Sequence, residues 1–262
     1  RCIGIRKQEE RKGRVMHSPV EQFTIKALLH LELLGYDVSF TNSALFMILA
    51  VLVSTVYLTM AMRKREMVPG RLQASAEMLY EFVSDMVRSN AGSEGRPYFP
   101  FIFTLFIFLL FGNMLGLIPY SYTFTSQIVV TFVMAAIVFV GVTLVALIKH
   151  GMHFFSFFVP PGAPKALIPF LIIIEVISYF VRPVSLSVRL FANMLAGHTM
   201  LKVFAGLAVM ITSAGGVAMA GSVLPFLALI GLTGLEVLVA GLQAYVFTIL
   251  TCMYLNDALH LH

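Results

Sequence analysis

The sequence predicts an all-α polytopic membrane protein, with about five membrane-embedded helices plus one amphipathic surface helix. Three observations lead there. Of 262 residues, 59% are hydrophobic and only 12% charged, with a mean hydropathy of +0.90, far more apolar than a soluble domain. Uninterrupted apolar runs long enough to cross a bilayer recur along the chain. The charges are also unevenly spread: of the 18 Lys and Arg and 13 Asp and Glu, 23 fall in 1–96 and eight in 97–262. Each of those eight needs a physical reason, because a charge at the bilayer centre costs about 2.5–3.5 kcal/mol on insertion scales. The net charge of +5 is accounted for by basic loops on the inner side of a membrane and calls for no nucleic acid partner. Cys2 and Cys252 lie at opposite ends of the chain and suggest neither a disulfide framework nor a metal site.

The elements follow in order. Residues 1–40 read as an N-terminal tail and outer-side segment, and 41–262 as a single membrane-embedded domain. The first fifteen residues, RCIGIRKQEERKGRV, contain Glu9 and Glu10 and no apolar run, unlike a secretory signal or a transit peptide; Met16 is the expected natural start. The first span is Asn42 to Met62, ended by Arg63, Lys64 and Arg65. Val68 to Arg88 then carries Leu72, Ala76, Leu79, Val83 and Met86 on one face, with Gln73, Glu77, Glu81 and Asp85 on the other. That is the pattern of a helix lying on the membrane surface. The Phe-rich span Phe99 to Ile118 stops at Pro119, and the uncharged loop YSYTFTSQ leads into Ile128 to Ile148.

A loop with Pro160, Pro161 and Pro164 precedes an apolar region from Ala166 to about Met210. As one helix it would be roughly 68 Å long, more than twice the hydrocarbon thickness, so it must break or tilt strongly. Small residues at Ser213 to Gly216 make a turn before the last apolar region, Ala218 to Leu255. The basic loops Arg63–Arg71 and Lys149–Lys165 belong inside, and the uncharged loops near Tyr120 and Ser213 outside. The C-terminus is then inside and the basic tail outside, against the rule, which again singles out residues 1–15.

Polar residues inside the apolar runs carry the functional signal. Glu175, Ser178, Arg182, Ser185, Arg189 and Asn193 are separated by steps of three or four residues, which aligns them on one helix face as a polar lane about 27 Å long. His198 lies nine residues past Arg189, about 180° around the helix, and points the other way. In the last region Glu236 and Gln243 share a face, and Gly231, Gly234 and Gly241 are expected to permit close helix approach, so that Glu236 meets His198 there. Lys202 and Arg182 also fit a bland role, snorkelling to an interface or pairing with a neighbour. Arg189, between LSV and LFANML, has no basic interface near enough for that. His150 and His153 lack a nearby Cys or carboxylate and suit a surface loop better than zinc.

The string PVSLSVRLFANMLAGHTMLK, Pro183 to Lys202, resembles the signature of the a subunit (subunit 6) of F-type proton-translocating ATP synthases, of the alphaproteobacterial and mitochondrial kind. The resemblance continues in Glu175 and Ser178, in Glu236 and the run GLQAYVFTILTCMYL with Gln243, and in FGNMLGLIPYSYTFTSQ around Asn113, and covers most of the chain after residue 20. It implies a stator subunit whose long tilted hairpin, 165–255, curves beside a rotating c ring that bears a carboxylate on each subunit. The length problem is then met by tilt without a sharp break.

By the same resemblance Arg189 is the essential arginine facing the c ring. A guanidinium stays charged, and at about 4 Å with an effective dielectric near 20 it favours an ionised carboxylate by about 4 kcal/mol. The ring carboxylate loses its proton there, and the fixed charge blocks direct leak. His198 and Glu236 are implied to line the outer proton route, an imidazole being suited to relay near neutral pH, and Glu175 and Ser178 the inner route. Ser185, Asn193, Gln243 and Asn113 are implied as polar lining, with Gln243 orienting Arg189, and Asn42 stands at a place that is polar or acidic in some relatives. Gly116 and the neutral Tyr, Thr and Ser residues after Pro119 depart from relatives with aspartates there. No cofactor and no metal is implied; the partners are the c-subunit ring, peripheral-stalk b subunits, other synthase subunits, membrane lipid and protons, His198 favouring protons over sodium. The absence of a P-loop leaves nucleotide chemistry to partner subunits. A bacterial plasma membrane is the expected location, with the mitochondrial inner membrane as alternative. A stand-alone secondary transporter is the competing class; such proteins often show internal repeats, and none is found here.

Overall fold

The computed structural model describes residues 27–29, 32–33, 36–37, 39–63, 66–118, 121–158, 167–213 and 221–260. Residues 1–15 with Met16, Pro119 and Tyr120, the prolines at 160–164 and the turn at 214–216 lie outside them. Two short antiparallel pairs open the described part: β1 (Ala27–Leu29) with β4 (Phe40–Thr41), and β2 (Glu32–Leu33) with β3 (Tyr36–Asp37). Six long α-helices follow: α1 (Asn42–Ala61), α2 (Arg71–Ala91), α3 (Phe99–Gly116), α4 (Ile128–His150), α5 (Ile168–Ser213) and α6 (Val223–Leu259). Five spans, each containing one of α1, α3, α4, α5 and α6, are long and apolar enough to cross a membrane.

Local chemistry sets these bounds. α1 starts where the Thr41 hydroxyl accepts from the Ala44 N–H at 3.3 Å, satisfying one of the helix's first unpaired donors. α5 is a continuous helix of 46 residues through Pro183, about 69 Å long. Of the two alternatives, break or tilt, the helix shows no break; at that length it fits a 30 Å hydrocarbon layer only by tilting or projecting beyond it.

Apolar side chains both fill the core and cover much of the outside. The core lies where α2, α3, α5 and α6 meet, around Val83, Ile102, Phe106, Leu190, Met194 and Phe247, while Leu45, Ile48, Leu52, Val129, Val133 and Ile137 are exposed on α1 and α4. Many buried contacts are small: Ala50, Ala91, Ala135, Ala240 and Ala244. In lipid, close backbone approach of this kind drives helix association, since apolar surface gains little by leaving apolar solvent.

α2 is the amphipathic helix that the sequence predicts, and its apolar stripe is packed on protein. Ala76, Val83, Met86, Val87 and Ala91 are buried, and Phe82 meets Phe106 of α3 and Tyr245 of α6 at ring distances of 5.8 and 5.7 Å. Its apolar stripe therefore rests on the chain's own helices. Leu72, on the first turn, is the exception and stays exposed.

The Gly231, Gly234 and Gly241 expectation is corrected: a Cβ on any of the three would have open space around it. The α5–α6 contact is seen instead where Gly197 on α5 meets the Glu236 side chain on α6 and where Asn193 meets Gln243. Glycine spacing alone does not say which face meets a neighbour.

Candidate proton-transfer site

The buried residues of α5 (Tyr179, Pro183, Leu186, Ser187, Leu190 and Met194) form a seam at helical spacing. On one flank lies the polar lane. Ser178, Ser185, Arg189 and Asn193 are exposed on the chain's surface, and Glu175 and Arg182 half-buried. On the other flank, His198 is drawn into the protein. The sequence spacing placed the two on opposite sides, and the seam between them is now seen to be packed protein.

Arg189 makes no hydrogen bond or ion pair among the described residues. It sits on the outside of α5 beside exposed Val188 and Ala192. Gln243, read by resemblance as its orienting partner, instead accepts a hydrogen bond from Asn193 Nδ2 at 2.9 Å and is itself buried. Since Asn193 follows Arg189 by one turn on the same face, the bond pins α5 to α6 immediately beside the arginine and leaves the guanidinium itself free to face outward.

The cluster around His198 is compact. Glu236 Oε1 lies 3.3 Å from His198 Nδ1, and His198 Nε2 lies 2.8 Å from Thr123 Oγ1. Glu236 is 5% exposed, and neither carboxyl oxygen has a well-aligned hydrogen bond among the described residues, so the 3.3 Å approach to the imidazole is its polar contact. Gly197 makes room for it: a Cβ there would stand 2.8 Å from Glu236 Oε1.

Asn113 closes the same region from α3. It is fully buried, donates from Nδ2 to the Ala240 carbonyl at 3.2 Å and accepts from Thr125 Oγ1 at 2.9 Å. It binds α3, the 121–127 loop and α6 together, with its amide groups committed to protein partners. Asn42 begins α1, where its Oδ1 accepts from the Ser43 N–H at 3.0 Å.

The C-terminal ends of α4 and α6, with the Arg182 turn of α5, hold a second polar cluster that sequence reasoning missed. Arg182 Nη1 donates to Asp257 Oδ2 at 2.9 Å, with its guanidinium 5.6 Å from the Tyr179 ring centre and 5.2 Å from that of Tyr254. Lys149 pairs with Glu94 and donates to the Leu259 carbonyl at 3.1 Å, joining α4 to the end of α6. Asp257 carried one signal, as the last of the sparse charges after residue 97. Thr123 carried none, because its partner is 75 residues away.

Arg189 thus lies between two polar clusters on one helix, about 10 Å of helical rise beyond Arg182 and about 13 Å short of His198. Against known proteins, the profile of the "ATP synthase A chain" family matches residues 44–256. ATP synthase subunit a of Rhodospirillum rubrum is 55% identical over 247 residues, covering 94% of this chain and 100% of the relative. The subunits a of Parvibaculum lavamentivorans and Mesorhizobium japonicum are each 53% identical, covering 96% and 92% of this chain and 97% and 96% of theirs. With matches of that depth along nearly its whole length, the chain belongs to the ATP synthase A chain family.

Proposed function

We propose that this chain forms two offset aqueous half-routes that protonate and deprotonate a carboxylate on a neighbouring c-subunit ring, with Arg189 standing between them. Membership of the family makes it a non-catalytic membrane subunit of the proton-translocating Fo sector, with other synthase subunits as partners. Five long apolar helices and alphaproteobacterial relatives make it a multi-pass protein of the bacterial inner membrane. The finer reading is supported above all by the exposure of Arg189 on the outside of α5, flanked by a lane toward the inner end and opposite the buried His198–Glu236 pair.

In this reading protons enter from the outer side through Glu236 and His198 and reach the ring carboxylate. After a turn of the ring they leave past the lane of Glu175, Ser178 and Ser185. Asn193 and Gln243 hold α5 against α6 beside the arginine, and Asn113 holds the wall of the outer side. As the carboxylate comes round to Arg189 the fixed positive charge favours its ionised form by about 4 kcal/mol at 4 Å, so it arrives empty for reloading. The same charge repels a proton moving straight from one route to the other. Residues 41–262 act as one membrane domain in this scheme, held against rotation by peripheral-stalk b subunits.

The test is reconstitution of the chain with its ring and the remaining synthase subunits, comparing Arg189 with Arg189→Ala. Loss of ATP-driven proton pumping with retained ring binding is expected. Pumping at normal coupling would overturn the proposal, and a chain that transports a solute with no ring present would favour the transporter reading.

A further inference from the structure

A hydroxyl of the 121–127 loop contacts the His198–Glu236 pair. The Gly116 carbonyl, at the end of α3, accepts from Ser121 Oγ at 2.9 Å and from Thr123 Oγ1 at 3.1 Å. Thr123 Oγ1 is also the atom 2.8 Å from His198 Nε2, and Thr123 is buried. A threonine hydroxyl has a single proton, and a carbonyl oxygen has none to give. The Thr123 proton therefore points at Gly116, and what remains for the imidazole is a lone pair.

We propose that Thr123 is a positioning residue, which by donating to the Gly116 carbonyl holds His198 as the Nε2–H tautomer and turns the basic nitrogen, Nδ1, toward Glu236. The opposite assignment, Thr123 donating to Nε2, sets two buried acceptor oxygens 3.1 Å apart with no proton between them. With the Glu236 carboxyl protonated, that arrangement leaves the carboxyl proton without its Nδ1 acceptor, so it forfeits one hydrogen bond and adds repulsion between lone pairs. The proposal rests on His198 and Glu236 lining the outer route, and gives that route a direction.

With Nε2 occupied, the pair exchanges its proton along a single axis. An incoming proton brings the pair to zero net charge and fills the gap between Oε1 and Nδ1, where without it two lone pairs face each other at 3.3 Å. It then sits either on Glu236 Oε1, donated to Nδ1, or on Nδ1, donated to the carboxylate. Passing between the two breaks one O–H bond and forms one N–H bond. No ring rotation is required, and Thr123 takes no part in the transfer. Among the described residues, the charged and titratable groups facing the imidazole include Glu236 from α6 and Lys202, one turn further along α5; Arg189 is on the opposite flank.

The experiment uses the assembled synthase in lipid with the chain's histidines 15N-labelled, the His198 resonance being identified by its loss in His198→Gln. Solid-state NMR of the neutral imidazole is expected to show Nε2 protonated and Nδ1 bare. Thr123→Ser should keep that signal; Thr123→Val, which fills the same space without a hydroxyl, should split it between tautomers and slow ATP-driven pumping about three- to tenfold with the ring still bound. In a His198→Gln background Thr123→Val should change pumping no further. A wild-type Nδ1–H tautomer, or an unchanged tautomer in Thr123→Val, would overturn the proposal. If the tautomer behaves as expected but His198→Gln pumps normally, the positioning role stands and the route through His198 falls.

Discussion

Gly197 leaves little room beside the His198–Glu236 pair. A Cβ there would lie 2.8 Å from Glu236 Oε1 and 3.2 Å from its Cδ, so Gly197→Ala must push the carboxyl away from His198 or part the helices. A shift of about 1 Å in a reacting group costs up to roughly 100-fold. Gly197→Ala is therefore expected to lower ATP-driven proton pumping in inverted vesicles by about tenfold or more while the subunit still assembles; normal pumping would mean that the Glu236–His198 approach is not used. Asn113 is a contrasting case. Its two buried hydrogen bonds are structural, and Asn113→Ala removes both while leaving the Thr125 hydroxyl to find another acceptor. A loss of about 2 kcal/mol is expected, read as a lowered thermal midpoint of the reconstituted subunit. The position was legible in the sequence as a polar residue in a Phe-rich span, but its partners were not: Ala240 is 127 residues away and contributes only a backbone carbonyl, which leaves no trace in residue type.

At the scale of elements, what the sequence disclosed was whatever repeats within one helix. The steps of three and four from Glu175 to Asn193, the opposed position of His198, and the common face of Glu236 and Gln243 all follow from 3.6 residues per turn. Contacts between helices were less legible, because spacing defines a face without naming what it meets. The three glycines of α6 were assigned to the α5 contact and face open space; Gln243 was assigned to Arg189 and bonds Asn193. The Arg182–Asp257 pair was missed for the same reason. It ties the inner half of α5 to the end of α6, and its two sides are unequal. Arg182→Ala loses the ion pair and both ring contacts, each worth about 0.5–1 kcal/mol, whereas Asp257→Asn keeps the rings and a hydrogen-bond acceptor. Exposed ion pairs themselves contribute under about 1 kcal/mol. Arg182→Ala is expected to reduce thermal stability more than Asp257→Asn, by about 1 kcal/mol or more, in parallel melts in nanodiscs. Equal losses would show that the aromatic contacts contribute nothing.

The described residues present several exposed apolar faces, and the one on α5 is interrupted by the exposed charge of Arg189. Ile48 and Leu52 on α1, Val129 and Val133 on α4, and Val184 and Val188 on α5 are comparably exposed, so exposure alone does not distinguish lipid from protein as the covering material. Arg189 does distinguish them, because a guanidinium facing hydrocarbon costs about 2.5–3.5 kcal/mol even on the mildest scales. That penalty is relieved by water and a carboxylate, which is what a ring turning past α5 would bring. The direction in which the chain docks can be read by cross-linking in a background with the buried Cys252 and Cys2 replaced by serine. Single cysteines at Ser185, Val188 and Ala192 on the lane side of α5 are compared with cysteines at Leu52 on α1 and Val133 on α4, each challenged by a cysteine beside the ring carboxylate. Disulfide-linked product on oxidation is expected from the α5 positions and not from the other two. The lane's spacing adds a finer expectation: yield should peak at the positions nearest Arg189 in height and fall toward the helix ends. Equal yields from α1 or α4 would mean that the ring does not cover the arginine's face, and the relief of its charge would then have to come from water alone.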